Sequence, residues 1–385
     1  MSDVSPATTA GTAPGGGRIA FLDGLRGVAI LMVVAFHAYA RWPEHYPFGA
    51  RFVGNPFLDT DRTGVLLFFM ISGFVILMSL EKNDRFGGFL WRRWLRLFPA
   101  MLVCSLAVFA LSVVIVPWPK GPLAAFNLLP GLTLLGEDVW MRLTGLSWDD
   151  VASIEGSFWS LYVETRFYLI FGALYYLFGR TTAVWGLLGV YALLHLFRVI
   201  DLPMIRGNGA LPLESIAAAL QALHGYGALK VMGAPYFLWF FAGAMYYLWE
   251  MERRERHYAI AVVASLVAAL SPIAGCGPRL FVVGLMAAVM RFEAVRRVVA
   301  NPVFLILGFA SYPLYLMHEN LMVALIVRVG AAWPGLPALA VPVLPIVLVI
   351  AVGWLVARFV EPGARRTVAR LVGGLARPRV RTDAA

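Results

Sequence analysis

The sequence predicts an all-α protein: a polytopic transmembrane bundle of about ten helices, with both termini cytoplasmic. Three observations carry that reading. The 385-residue chain is 60% hydrophobic and 14% charged, with mean hydropathy +0.76, whereas a soluble domain is about a quarter charged. Apolar runs of roughly 20 residues recur along it, the length needed to cross a bilayer. Basic residues gather in alternate segments between those runs, as cytoplasmic loops require.

Residues 1–17, MSDVSPATTAGTAPGGG, are small, polar and rich in Gly and Pro, so a disordered tail is expected. Ala38-Tyr39-Ala40 resembles a signal-peptide cleavage site, but Asp23 and Arg26 interrupt the apolar stretch before it. An uncleaved first helix is the better reading. Helices are expected near 19–40, 63–80, 97–117, 157–178, 182–200, 231–249, 258–274, 279–292, 303–328 and 339–358. Gly277-Pro278 forces a turn before the short eighth. Residues 201–229, with Pro203, Gly207, Gly209 and Pro212, read as a loop holding an interfacial helix. The transmembrane domain then covers 18–366, and 367–385 is a basic cytoplasmic tail.

With the N-terminus inside, the inner segments hold Lys82, Arg85, Arg92, Arg93 and Arg96, then Arg180, then Arg253, Arg254 and Arg256. Arg291, Arg296 and Arg297 follow, and then Arg358, Arg365, Arg366 and Arg370. The opposite segments carry Glu44, Asp59, Asp61, Glu137, Asp138, Asp149, Asp150 and Glu155. The net charge of +10 is therefore topogenic, and no nucleic-acid partner is expected. Cys104 and Cys276 are far apart and the six histidines show no metal-binding spacing, so neither a disulfide framework nor a metal is expected.

Ionisable groups inside spans are costly and mark functional sites. Arg26 and His37 are eleven residues apart, which puts both on one helix face about 16 Å apart along the axis. Glu164 and His318 fall, by topology, near the depth of His37. A histidine with an acid partner suits proton abstraction from a hydroxyl near neutral pH. A histidine that only hydrogen-bonds between helices is the alternative, less apt when three such groups share a depth. Arg93 and Arg96 lie one turn apart in the basic, aromatic stretch 81–99 and suit phosphate oxygens, although an ordinary topogenic loop reads the same way. Gly64, Ser72 and Gly73 allow close helix approach, with Ser72 able to hydrogen-bond inside. Ser311, Tyr312 and Tyr315 precede His318, and Tyr315 is one turn from it.

In this order, the segments resemble the acyltransferase-3 family of integral membrane O-acyltransferases. FLDGLRGVAILMVVAFH (21–37) is similar to its first-helix Arg-x10-His signature, and GVLLFFMISGF (64–74) to its second-helix block. RRWLRLFP (92–99) resembles its Arg-x-x-Arg block, FWSLYVETRFYL (158–169) its Ser-Leu-x-x-Glu block, and SYPLYLMH (311–318) and FVEP (359–362) its closing blocks. The resemblance covers about 19–366. It implies ten transmembrane helices in the inner (plasma) membrane, an acyl-CoA donor from the cytoplasm, most simply acetyl-CoA, and a carbohydrate hydroxyl as acceptor.

It also implies that Arg26 and His37 are required for activity and that Arg93 and Arg96 bind the donor. On this reading Arg26 lines the donor path, His37 is general base or acyl carrier, Glu164 orients His37 or the sugar, and His318, Tyr315 and Ser72 meet substrate. One departure is Thr165-Arg166, where relatives often carry Glu-Gln after the matched acid, and it bears on acceptor recognition. The residues alone leave a transporter or flippase of a glycan or anionic substrate open. That alternative calls for paired broken helices and internal repeats, which the sequence lacks to the eye.

Overall fold

The computed structural model describes residues 19–60, 62–115, 118–200, 236–271 and 276–375. Helices, and no strand, occur among the described residues. Five helical stretches there are long and apolar enough to cross a membrane: Ala20–Tyr39, Thr63–Glu81, Phe86–Val114, Pro302–Ala332 and Val343–Val372. The expected tail at 1–17, the expected interfacial helix in 201–229, residues 231–235 and 272–274 of two expected helices, and 376–385 lie outside the described residues.

The first helices, α1 (Ala20–Tyr39) and α2 (Thr63–Glu81), lie where the apolar runs place them. The next, α3 (Phe86–Val114), starts eleven residues before the expected 97 and contains Pro99. Its buried stripe explains the earlier start: Phe89, Arg93, Leu97 and Met101 recur at helical spacing, so the apolar face reaches back through the arginines. Trp91, Trp94 and Phe98 stack along another face, with ring centroids 5.2 and 4.5 Å apart. The basic stretch is thus mostly helix rather than loop.

Three short helices follow: α4 (Leu128–Thr133), α5 (Glu137–Thr144) and α6 (Trp148–Val151). The long α7 (Trp159–Ile200) joins two expected helices, with a break at Gly179, whose φ of 82° and ψ of 171° suit only glycine. Then come α8 (Phe237–Glu252), α9 (Glu255–Ala269), α10 (Cys276–Arg291) and α11 (Glu293–Val299). Asn301 caps α12 (Pro302–Ala332) by accepting from Val303 N at 2.9 Å and Phe304 N at 3.1 Å, and Pro302 opens it. Helix α13 (Val343–Leu355) runs through a π turn at Val356–Val360 into α14 (Glu361–Leu375), so residues 367–375 of the expected C-terminal tail are helical.

Helix α1 sits centrally, flanked by α12 and α2, while α2 also packs on α8. Lipid supplies no hydrophobic drive between helices, so association rests on close packing of small residues. At the α1–α12 crossing, a Cβ on Gly27 would overlap the Phe304 carbonyl, and one on Gly308 would overlap the Asp23 carbonyl. Gly73 and Gly243 do the same between α2 and α8, against Phe240 and Met70.

Thermal unfolding of purified protein in detergent checks this packing. Gly308→Val is expected to destabilise by about 1–3 kcal/mol through overpacking. Gly284→Ala, at a mid-helix site with nothing within 4 Å, is expected to stabilise by about 0.5–1 kcal/mol. Equal melting of Gly308→Val and the wild type would contradict a backbone-to-backbone crossing.

Candidate functional site

Two chambers open among α1, α2, α3, α7 and α12. The first is a narrow slot of ≈ 90 Å³, lined by Arg26, Ser72, Arg93, Arg96, Glu164, Tyr168 and Tyr312, among others. Arg26 is paired with Asp23 at 2.7 Å. Arg93 is buried, with its guanidinium carbon 5.8 Å from the Phe89 ring centre and 5.7 Å from that of Tyr168. Glu164 is held by the Ser72 hydroxyl and by Tyr168 Oη, which donates at 2.6 Å. Three guanidinium groups against one lining carboxylate leave the slot electropositive.

The second chamber is wider, ≈ 440 Å³, and is lined by His37, Glu319, Ser157, Trp159, Arg41, Asp59 and Arg62, among others. That volume lies within the range of about 300–1,000 Å³ typical of ligand sites. At its floor, His37 Nδ1 lies 2.8 Å from Val33 O and 3.3 Å from His318 Nε2. A carbonyl can only accept, so His37 Nδ1 carries the proton. His318 Nδ1 lies 3.0 Å from Tyr315 O and is protonated for the same reason, which leaves His318 Nε2 as an acceptor for His37. The outcome is a locked tautomer: His37 Nε2 keeps its lone pair, 3.8 Å from Glu319 Oε1. Glu319 is in turn fixed by Ser157 N, which donates to Oε2 at 2.6 Å.

Tyr315 and Val65 line both chambers and form the wall between them. The tyrosine is pinned there: its hydroxyl donates to Ser157 O at 2.7 Å and lies 2.7 Å from Ser160 Oγ. The slot that Arg26 lines thus adjoins the chamber that His37 lines, with Val65 and Tyr315 common to both.

The structure divides the sequence-derived residues between these spaces. Arg26, Arg93, Arg96, Ser72 and Glu164 share the slot, His37 faces the wide chamber, and Tyr315 separates the two. Two placements differ from expectation. Glu164 does not meet His37, because Ser72 and Tyr168 hold it in the slot. His318 is fully buried behind His37, so it fixes a tautomer rather than facing an open space. Arg166 pairs with Asp138 of α5 at 3.0 Å, which directs its charge away from the chambers.

Sequence reasoning missed Glu319, the acid that does approach His37. Its signal was present: it directly follows His318, and a carboxylate within a span is as costly as a buried histidine. Among the described residues no three His, Cys, Asp or Glu side chains cluster in a way that could hold a metal ion.

A family model described as an acyltransferase domain matches residues 19–358. Curated relatives include an O-acetyl transferase of Shigella phage Sf6, 37% identical over 91 residues, which are 23% of this chain and 25% of the relative. Acyltransferase MdmB of Streptomyces mycarofaciens is 29% identical over 161 residues, 40% of this chain and 38% of the relative. Peptidoglycan O-acetyltransferase OatA of Listeria monocytogenes is 28% identical over 161 residues, 40% of this chain and 23% of the relative. The matched stretches span only 23% to 38% of these relatives' own lengths. No solved structure matches the chain.

The locked tautomer is open to measurement by nitrogen NMR of histidine-labelled protein. His37 is expected to carry its proton on Nδ1 at neutral pH, and His318→Ala to leave that tautomer less populated. A proton resident on Nε2 of His37 in the unliganded protein would contradict the hydrogen-bond chain.

Proposed function

Because this chain belongs to the acyltransferase-3 family, we propose that it moves an acyl group, acetyl by preference, from cytoplasmic acyl-CoA to a hydroxyl of a cell-envelope or exported carbohydrate. The observation that carries the reading is the shared wall. An electropositive slot and a chamber holding an unprotonated imidazole nitrogen meet at Tyr315 and Val65. A narrow slot suits a linear thioester arm, and the wider chamber suits a sugar ring. Names of relatives that include O-acetyl transferases support acetyl.

In this reading ten helices cross the inner membrane with both termini cytoplasmic, so the slot opens to the cytoplasm and the wide chamber to the far side. Arg93 and Arg96 hold donor phosphates, and Arg26 lines the path of the arm. Glu164 offsets part of their charge, with Ser72 and Tyr168 fixing its carboxylate. His37 Nε2 takes the acceptor's hydroxyl proton as that oxygen attacks the acyl carbon. The carbon–sulfur bond then breaks, and the imidazolium returns the proton to the departing sulfur. Glu319, 3.8 Å away, stabilises the imidazolium during the interval, and His318 keeps the ring in the productive tautomer. A thioester is already activated, so positioning and a base supply the needed acceleration.

Two variants test this at equal membrane abundance. Surface-glycan acylation, read by mass spectrometry, is expected to fall by roughly 10²–10⁴-fold in His37→Ala, the usual worth of a general base. Undiminished transfer by that variant would remove His37 from the mechanism. In purified protein, Arg96→Ala is expected to raise KM for acyl-CoA and leave the acceptor KM unchanged; the reverse pattern would reassign the slot.

A further inference from the structure

One buried pair beside the proposed base has an incomplete hydrogen-bond inventory. Glu155, in the loop before α7, is fully buried. Its Oε2 accepts from Asn320 N and from Asn320 Nδ2, each at 3.0 Å. Its Oε1 is buried with no partner. Asn320 Nδ2 donates as well to Ile154 O at 3.0 Å, so both amide hydrogens are used and the amide cannot flip without setting its oxygen against two acceptors. Asn320 Oδ1 is therefore also a buried acceptor with no partner. A single added proton on Glu155 would satisfy both of these acceptors, which sit on two residues already bonded to one another.

We propose that Glu155 is a neutral carboxylic acid whose Oε1–H donates to Asn320 Oδ1, closing an acid–amide ring that positions Glu319 against His37. The inference rests on the reading of His37 as the base. Glu155 itself is fully buried and acts as a positioning residue.

Three further facts support it. The loop that carries Glu155 also carries Ser157, whose N–H holds Glu319 at 2.6 Å. The ring thus ties both partners of the Glu319 clamp together, the loop on one side and the α12 turn at Asn320 on the other. The loop is rigid: Asn127 Nδ2 donates to Ala152 O at 2.8 Å, and Lys120 Nζ donates to Ser153 O. Finally, two ionised carboxylates in one dry site repel. Burial first, and then the charge of Glu319, push the Glu155 carboxyl well above its ordinary range, against the smaller opposing pull of Lys120.

Infrared difference spectra of wild-type and Glu155→Gln protein in nanodiscs test the proton directly. The carbonyl stretch of a protonated carboxyl is expected in the wild type and missing from the variant. Glutamine offers the same acceptor and an N–H donor, so Glu155→Gln is expected to keep transfer within a few-fold of wild type. Glu155→Ala is expected to lose on the order of 10²-fold in kcat, as a displaced catalytic group does, with the donor KM little changed. No lost carboxyl band, or a folded Glu155→Gln as inactive as Glu155→Ala, overturns the proposal. If Glu155→Ala fails to fold, the infrared comparison and the glutamine variant still decide. A lost band alongside a wild type that transfers no acyl group upholds the neutral acid and sinks the functional reading alone.

Discussion

Where α1 crosses α12, backbone runs against backbone, with Gly27 on one helix and Gly308 on the other each set against its partner's main chain. The rest of the site depends on that crossing. His37 stands in the last turn of α1, and His318 and Glu319 stand in the middle of α12. A helix separation wider by one methyl group would pull His318 Nε2 out of hydrogen-bonding range of His37 Nδ1, now 3.3 Å. The Val33 carbonyl on α1 itself holds the proton on Nδ1 of the proposed base, and helix packing several turns away adds the second contact, from His318.

Burial of so many polar groups away from water is tolerable only where each meets a partner. The two chambers satisfy this in different ways. In the slot the charges are spread: Asp23 on Arg26, aromatic faces on Arg93, and two hydroxyls on Glu164. In the wide chamber the order is directional, a chain from Tyr315 O through both imidazoles to the Val33 carbonyl. Spread positive charge attracts an anionic chain of any register. A directional chain presents one lone pair at one place, which is what a base needs.

Much of this was legible in the sequence, and the reasons for the rest are physical. Apolar run length placed α1 and α2 closely, because nothing but length and composition decides a membrane helix. The start of α3 lies earlier than expected because the basic stretch 81–99 reads as a topogenic loop, while the stripe through Phe89, Arg93 and Leu97 that makes it helical appears only at helical spacing. Arg26, which span position puts in the inner half of α1, and Arg93 and Arg96 of the basic stretch line one slot. Depth along the bilayer could not separate Glu164 from the histidines, because depth ignores which way a helix face turns. Rotation is what sends Glu164 to Ser72 and Tyr168, and what brings Glu319 to His37. The family resemblance pointed the same way as the family match over 19–358, and it stopped one residue short of Glu319.

The claim on which all else turns is that donor and acceptor reach the Tyr315 partition from opposite faces. Proteoliposomes of one orientation, with acetyl-CoA confined to one side and a carbohydrate acceptor to the other, test it most directly. Acylation is expected only when acetyl-CoA is on the side of the α1 N-terminus and the acceptor is across the membrane. Equal acylation with both on the same side, or with the sides exchanged, would contradict it.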